Sequence, residues 1–515
     1  MVQKLLLKKS IYMLFISMFF CFLGTKTMYS NNLNIGAITK DLDSLKFTIA
    51  WDNSWRVSTG PSNYDAVWLF VKWQDCNNNR EWYHAQLEAV GTYVKGSAVL
   101  EINVSADKNG AFVNRVGDGQ GNIAATNLVV RLSAAAVGTY NYRVLGVEMV
   151  YIPQASFYLG DGTLSNATYF GFEDGSSDVP KQITSEAAIS ANSLGPVGDA
   201  NNAAIAAAFP KGYNAFYIMK YEITIEQWCN FLNCLTYDQQ VTRTNVSPNS
   251  AAGQNIYSAA VAGYWGVDIE TPGTNNMIPA VYKPNCVDDA NYDNFNDCHT
   301  SAMQYLCWAD MAAFLDWSCL RPMTELEYEK VCRGTLPVVP GEFAWGDVNI
   351  NLLTVASLNA TQGTTGMLSD LSSLGLSNYN SVLGGPYRVG MLAKATTVRN
   401  TAGTTYYGIA DMSGNVWEMC MGVSAGQTHA TFTNQLGDGV LATNGSANVG
   451  ATWPDQSNTT TALGVGLRGG SWNVATAAAT YRMKVSDRVN IRNGSVLNIA
   501  TTSRIVSIGG RGVRQ

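Results

Sequence analysis

Apolar positions recur with period two through the first part of the chain. Leu45, Phe47, Ile49 and Trp51 alternate with Lys46, Thr48 and Ala50, the pattern of a strand with one buried face. Leu100, Ile102 and Val104 alternate again. Val67 to Val71 is a continuous apolar run, as a strand buried on both faces would be. Val129 to Leu132 and Tyr140 to Leu145 add two more candidates. Asn, Asp and Gly clusters, notably Gly117 to Asn122, punctuate them as turns. These short strands predict a β-sandwich-like domain over residues 31–146.

From Val147 the pattern becomes mixed. Thr224-Ile225-Glu226-Gln227 is a capping box, and the helix it opens runs through Trp228, Phe231 and Leu232. Thr324-Glu325-Leu326-Glu327 is a second box, with a helix through Tyr328 and Val331 to a stop at Gly334. Between them Trp308, Met311, Phe314 and Leu315 sit at helical spacing. Asn/Gly/Thr/Ser-rich stretches at about 161–210, 240–300, 351–385 and 424–462 read as surface insertions. The fold class expected is α+β, with the second domain over 147–515.

The first thirty residues read as an address. Lys4, Lys8 and Lys9 precede an apolar run from Ile11 to Leu23, too short to span a bilayer comfortably. A signal peptide over 1–30 predicts a secreted, periplasmic or cell-surface protein, with no membrane span after cleavage. Charged residues make up 14% of the 515, and the net charge is −6, which argues against a nucleic-acid binder. Of ten cysteines, Cys286 and Cys298 flank an Asp/Asn-rich loop and are candidates for a bridge. Cys229 and Cys234 point to different faces of a helix and should not pair with each other. There is no CxxC pair, which excludes a zinc ribbon. His84 is solitary and reads as a packing or surface residue. Gly464 to Gly469 matches GxGxxG without a βαβ unit around it, so it carries no dinucleotide reading.

Seven fragments in order carry a family resemblance. They are Glu148 to Pro153, Tyr221 to Thr224, Trp308 through Arg321 to Glu325, and Phe343 to Asp347. Tyr407 to Glu418, Arg468 to Trp472 and Gly512 to Arg514 follow. Together they resemble the formylglycine-generating enzyme (sulfatase-modifying factor) domain, a variant of the C-type lectin fold with little regular secondary structure.

The resemblance implies an oxidase that holds copper on two cysteines just after the RGGS segment. Here the first position is Val474 and the second is Ala479, and no cysteine follows Cys420. Neither side chain binds Cu(I), which wants soft thiolates, so no copper is expected. Ser471 and Trp417 remain as a vestigial pocket. The sulfoxide-synthase branch needs a three-histidine iron site, whereas His84, His299 and His429 are scattered.

The resemblance also implies a structural calcium site, with Asp411 and Glu418 giving carboxylate oxygens and Gly414 and Val416 giving carbonyls. A second family site would start near Asn359. Residues 468–515 hold eight Lys/Arg and one acid, Asp487. They form either a basic groove or internal partners for Glu148, Glu222, Glu325 and Glu418.

The resulting expectation is a non-catalytic exported protein used in structure, adhesion or assembly, with a protein or glycan partner and self-association left open. The alternatives are an enzyme acting on exported proteins through another centre, and a glycan- or protein-binding module using the basic C-terminal face.

Overall fold

The period-two segments are strands, and most of them join one sheet. The computed structural model describes residues 31–515 apart from 76–80, 135–139, 163–178, 192, 195–203, 258–265, 287–290, 293–296, 354–373, 382–383, 395–396, 424–430, 455–463, 475–476 and 492–503. The signal-peptide reading, His429 and the second calcium position near Asn359 lie outside these residues.

The first region runs β1 (Asn31–Ile35), β2 (Thr39–Asp41), β3 (Ser44–Arg56), β4 (Tyr64–Asp75) and β5 (Trp82–Ala85). It continues with β6 (Leu87–Lys95), β7 (Leu100–Val104), β8 (Ala111–Arg115), β9 (Gly119–Leu132) and β10 (Tyr140–Ile152). β3 and β4 pair only at Arg56 and Tyr64. Beyond that pair their side chains face one another: Leu45, Phe47, Ile49 and Trp51 meet Val67, Leu69 and Val71 in one buried cluster.

The continuous apolar run of β4 has a specific cause. Its odd positions fill that cluster, while Trp68 and Phe70 fill a second core shared with the rest of the chain. Trp68 Nε1 donates to the Ser318 carbonyl at 2.9 Å, and Phe70 meets Trp317 edge-on at 5.1 Å. The strand is buried on both faces because the second region packs against it.

β10 passes through the expected boundary at 146/147 without a break. It pairs with β4 along its length and, from Met149 to Ile152, with the strand Phe216–Met219. That strand pairs in turn with Gly512–Arg514, which also pairs with Arg321–Pro322. One sheet therefore links both regions and the C-terminus.

Two sequence readings change here. Gly119 to Asn122, expected in a turn, lie inside β9, where Arg56 pairs with Gly119 and Ser54 with Gly121. The register shifts beside them and Gly121 takes φ +118°, so the glycines serve an irregular ladder. The stretch 240–300 is not all surface insertion. Ile256, Tyr257, Val267, Ile269 and Tyr282 are buried in the main core, on and beside the hairpin Val267–Thr271 and Val281–Pro284.

Helices α1 (Ile225–Leu232), α2 (Tyr237–Arg243), α3 (Trp308–Trp317) and α4 (Glu325–Arg333) supply the helical part. Both expected capping boxes are formed, at Thr224 and at Thr324. Arg321 grips the Thr324 box by donating to both Glu327 oxygens at 2.9 and 2.6 Å. α4 ends at Gly334, φ +69°. α2 was not expected, yet Thr236 and Gln239 form a capping box of the same kind. Cys286 and Cys298 form a disulfide, and Cys229 and Cys234 are both free.

Candidate functional site

The Asp411–Glu418 turn and the Arg468–Trp472 segment come together from far apart in sequence. The strand Trp417–Met421 pairs antiparallel with Val465–Arg468, placing Glu418 opposite Arg468. The turn before it needs left-handed backbone at Asp411 (φ +64°), Gly414 (φ +101°) and Asn415 (φ +62°). Gly414 N–H donates to the Gly469 carbonyl and Trp472 N–H to the Asn415 carbonyl, both at 2.8 Å. Trp417 N–H donates to the Ser507 carbonyl, and Gln304 Oε1 accepts from both Ser507 N–H and Trp472 Nε1. Trp417 and the residues flanking Ser471 are thus held by one hydrogen-bonded frame.

Within that frame Ser471 is fully buried and its hydroxyl donates to Asn473 Oδ1 at 3.0 Å. Val474 N–H donates back to the Ser471 carbonyl, and the Val474 side chain packs into the main core. The position to which the family resemblance assigns the oxidase's first cysteine is therefore a hydrocarbon contact. The described free cysteines, among them Cys332 and Cys420, are all buried. Burial pushes the Cys332 and Cys420 thiols well up, which keeps them protonated rather than thiolate.

The carboxylates of the turn are engaged by the chain itself. Glu418 takes hydrogen bonds from Arg511 Nε and Nη2 at 2.7 and 2.8 Å. Arg511 also donates to the carbonyls of Met219, Lys220 and Ala410, which uses its whole donor set. Asp411 Oδ2 accepts the Gly390 N–H at 2.6 Å. Glu222 accepts from Asn415 Nδ2 at 2.6 Å and from Val416 N–H at 3.0 Å. Burial raises the carboxyls of Glu222, Asp411 and Glu418 above their ordinary range, and the Asp411 charge raises Glu222 further.

Asp411, Gly414, Val416 and Glu418 lie on one turn and the strand that follows it, but Glu418 does not fit as a calcium ligand in this arrangement. Both of its oxygens already face a cation that is part of the chain. An arginine partner for Glu418 is among the expectations above; that it is Arg511, and that Glu222 is aimed at Asn415, only the fold decides.

Five of the C-terminal arginines are internal. Arg468 and Arg488 share Glu325, and Arg468 also reaches Glu329. Arg504 pairs with Asp310 and Arg514 with Asp107. All five, Arg511 included, are buried to within a few per cent of their surface. A basic groove built on them is thereby excluded. Glu222, expected among their partners, is held by amides instead.

A family model, the sulfatase-modifying factor enzyme 1-like domain, matches residues 192–496, more than half of the chain. The chain belongs to this family. No curated protein matches it significantly. The sulfatase-modifying factor match ends before Arg511 and begins after β10, yet both pair with strands or turns inside it. The family domain here is completed by residues on either side of the match.

Proposed function

We propose that this member of the sulfatase-modifying factor family is a non-catalytic, exported protein whose family domain serves surface structure, adhesion or assembly. The carrying observation is Val474: an apolar side chain, 4% exposed, packs where the oxidase needs a metal-binding thiolate. The Cys286–Cys298 disulfide supports export, since such bonds persist in oxidising compartments. The long loops of the lectin-like architecture that the family resemblance implies would carry the binding surface.

The test is direct. The purified chain is incubated with copper, oxygen and a sulfatase-type cysteine peptide, and aldehyde formation is followed by mass spectrometry. No conversion is expected. Catalytic conversion of the peptide, lost in Ser471→Ala, would overturn the reading.

A further inference from the structure

The outer edge of β10 opens onto a groove of about 870 Å³ between the two regions. β1, α1 and the strand Val281–Pro284 contribute its walls. The direction of the β10 main chain follows from one bond: the Glu148 carbonyl accepts the Lys220 N–H at 2.9 Å. Even-numbered residues of β10 therefore aim their N–H and C=O away from β4, on the side where Phe216–Met219 pairs. That strand stops at Met149. Among the described residues no strand continues the pairing along Gly146, Val144 and Tyr142. Their main-chain donors and acceptors face the groove at a two-residue repeat of roughly 6.8 Å.

Two further observations point to a ligand. The hydroxyls of Tyr142 and Thr300, both lining the groove, are buried without a hydrogen-bond partner in the chain. A buried polar group left unmet is destabilising, so an occupant that satisfies them is favoured. The charges along the groove are nearly balanced: Arg143, Lys283 and Arg388 stand against Glu148 and Glu226. The complement is a segment that is neutral or carries one carboxylate.

We infer that β10 accepts an extended polypeptide segment of a partner protein, which adds a strand to the sheet along Tyr142, Val144 and Gly146. A regular row of alternating amide donors and carbonyl acceptors is matched by another strand and by no sugar. Tyr142 and Thr300 then bind hydroxyl or carboxamide groups of that segment. β1 forms the adjacent wall, since Leu33 and Ile35 lie within about 3 Å of where a side chain on Gly146 would begin. The edge has neither proline nor bulge along these residues, the usual protections of an unpaired strand. This inference stands apart from the Ser471 pocket, so its test and the turnover assay fail independently.

The probe is the capped heptapeptide Thr-Val-Thr-Val-Thr-Val-Asp, titrated by fluorescence anisotropy against the full chain. Saturable binding is expected, with slowed amide exchange at Tyr142, Val144 and Gly146. Val144→Pro deletes a donor that faces the groove and spares the β4 ladder, so affinity should fall at least tenfold. The same peptide N-methylated on alternate amides, tested on the unaltered protein, should lose affinity equally and does not depend on the variant folding. No binding at millimolar peptide overturns the inference. So does binding that survives N-methylation, or a groove that takes a neutral oligosaccharide such as maltoheptaose instead of the peptide.

Discussion

Arg511 and Glu418 form a fully buried two-point ion pair, with N–O distances of 2.7 and 2.8 Å. They come from the C-terminal segment and from the strand after the Asp411–Asn415 turn, 93 residues apart. The pair puts a guanidinium where a calcium-bound turn would need a metal. Its energetic meaning is asymmetric, because losing one member strands the other in a dry interior.

Arg511→Met is therefore expected to lower stability by about 3–5 kcal/mol, read as a urea midpoint. Arg511→Met combined with Glu418→Leu should recover much of that loss. If the double variant is as unstable as the single one, the ion pair is not the cause.

Chelation gives a second prediction. With Arg511 holding both oxygens of Glu418, excess EDTA should leave the thermal midpoint unchanged. A fall of several degrees, reversed by added calcium, would mean that the turn binds the metal in spite of Arg511.

Asp487 predicts a pH dependence. Burial pushes its carboxyl up to about 8, partly opposed by Arg468, and its Oδ2 has no hydrogen-bond partner. The folded state thus keeps a proton that the unfolded state releases near the ordinary value of 3.8. Stability from this group is complete below about pH 4 and declines as pH rises to about 8, at most on the order of 1.4 kcal/mol per pH unit. Asp487→Asn keeps the neutral shape and should flatten the decline between pH 5 and 8. An unchanged profile in the variant would remove Asp487 as its source.

Gly414 is constrained twice. Its φ of +101° is unfavourable for any side chain, and a Cβ there would strike Ser377 Oγ and sit 2.9 Å from the Asn378 carbonyl. Gly414→Ala should destabilise by about 2 kcal/mol or more and loosen the contact between Gly414 and Gly469. Hydrogen exchange at the Gly414 amide reads that loosening. A variant with native exchange and an unshifted midpoint would show that the turn has another accessible form.

Thr324 offers a smaller effect at a better-defined site. Its hydroxyl accepts the Glu327 N–H at 3.1 Å and donates to the Pro210 carbonyl. Thr324→Ala should cost about 1–2 kcal/mol in the urea midpoint. A loss well below that range would mean that Arg321, through Glu327, holds the helix start unaided.

Local signals were legible without a structure. The capping boxes at Thr224 and Thr324, the alternation in β3 and the run in β4 all rest on interactions within a few residues or on simple periodicity. The box at Thr236 uses the same residue types, but the helix it opens is short and polar and so carries little periodicity. β6 was harder to read: most of its residues are exposed, so its alternation is weak.

What the sequence determined by itself was the local grammar: which strongly patterned segments become strands or helices, and where the helices with a capping box start. These depend on backbone propensity and on residue identity. The tertiary structure alone decided that β10 joins both regions in one sheet, that Arg511 is the partner of Glu418, and which acids receive Arg468, Arg488, Arg504 and Arg514. Each is a pairing between distant segments, and no spacing along the chain encodes which buried charge a folded backbone will bring opposite another.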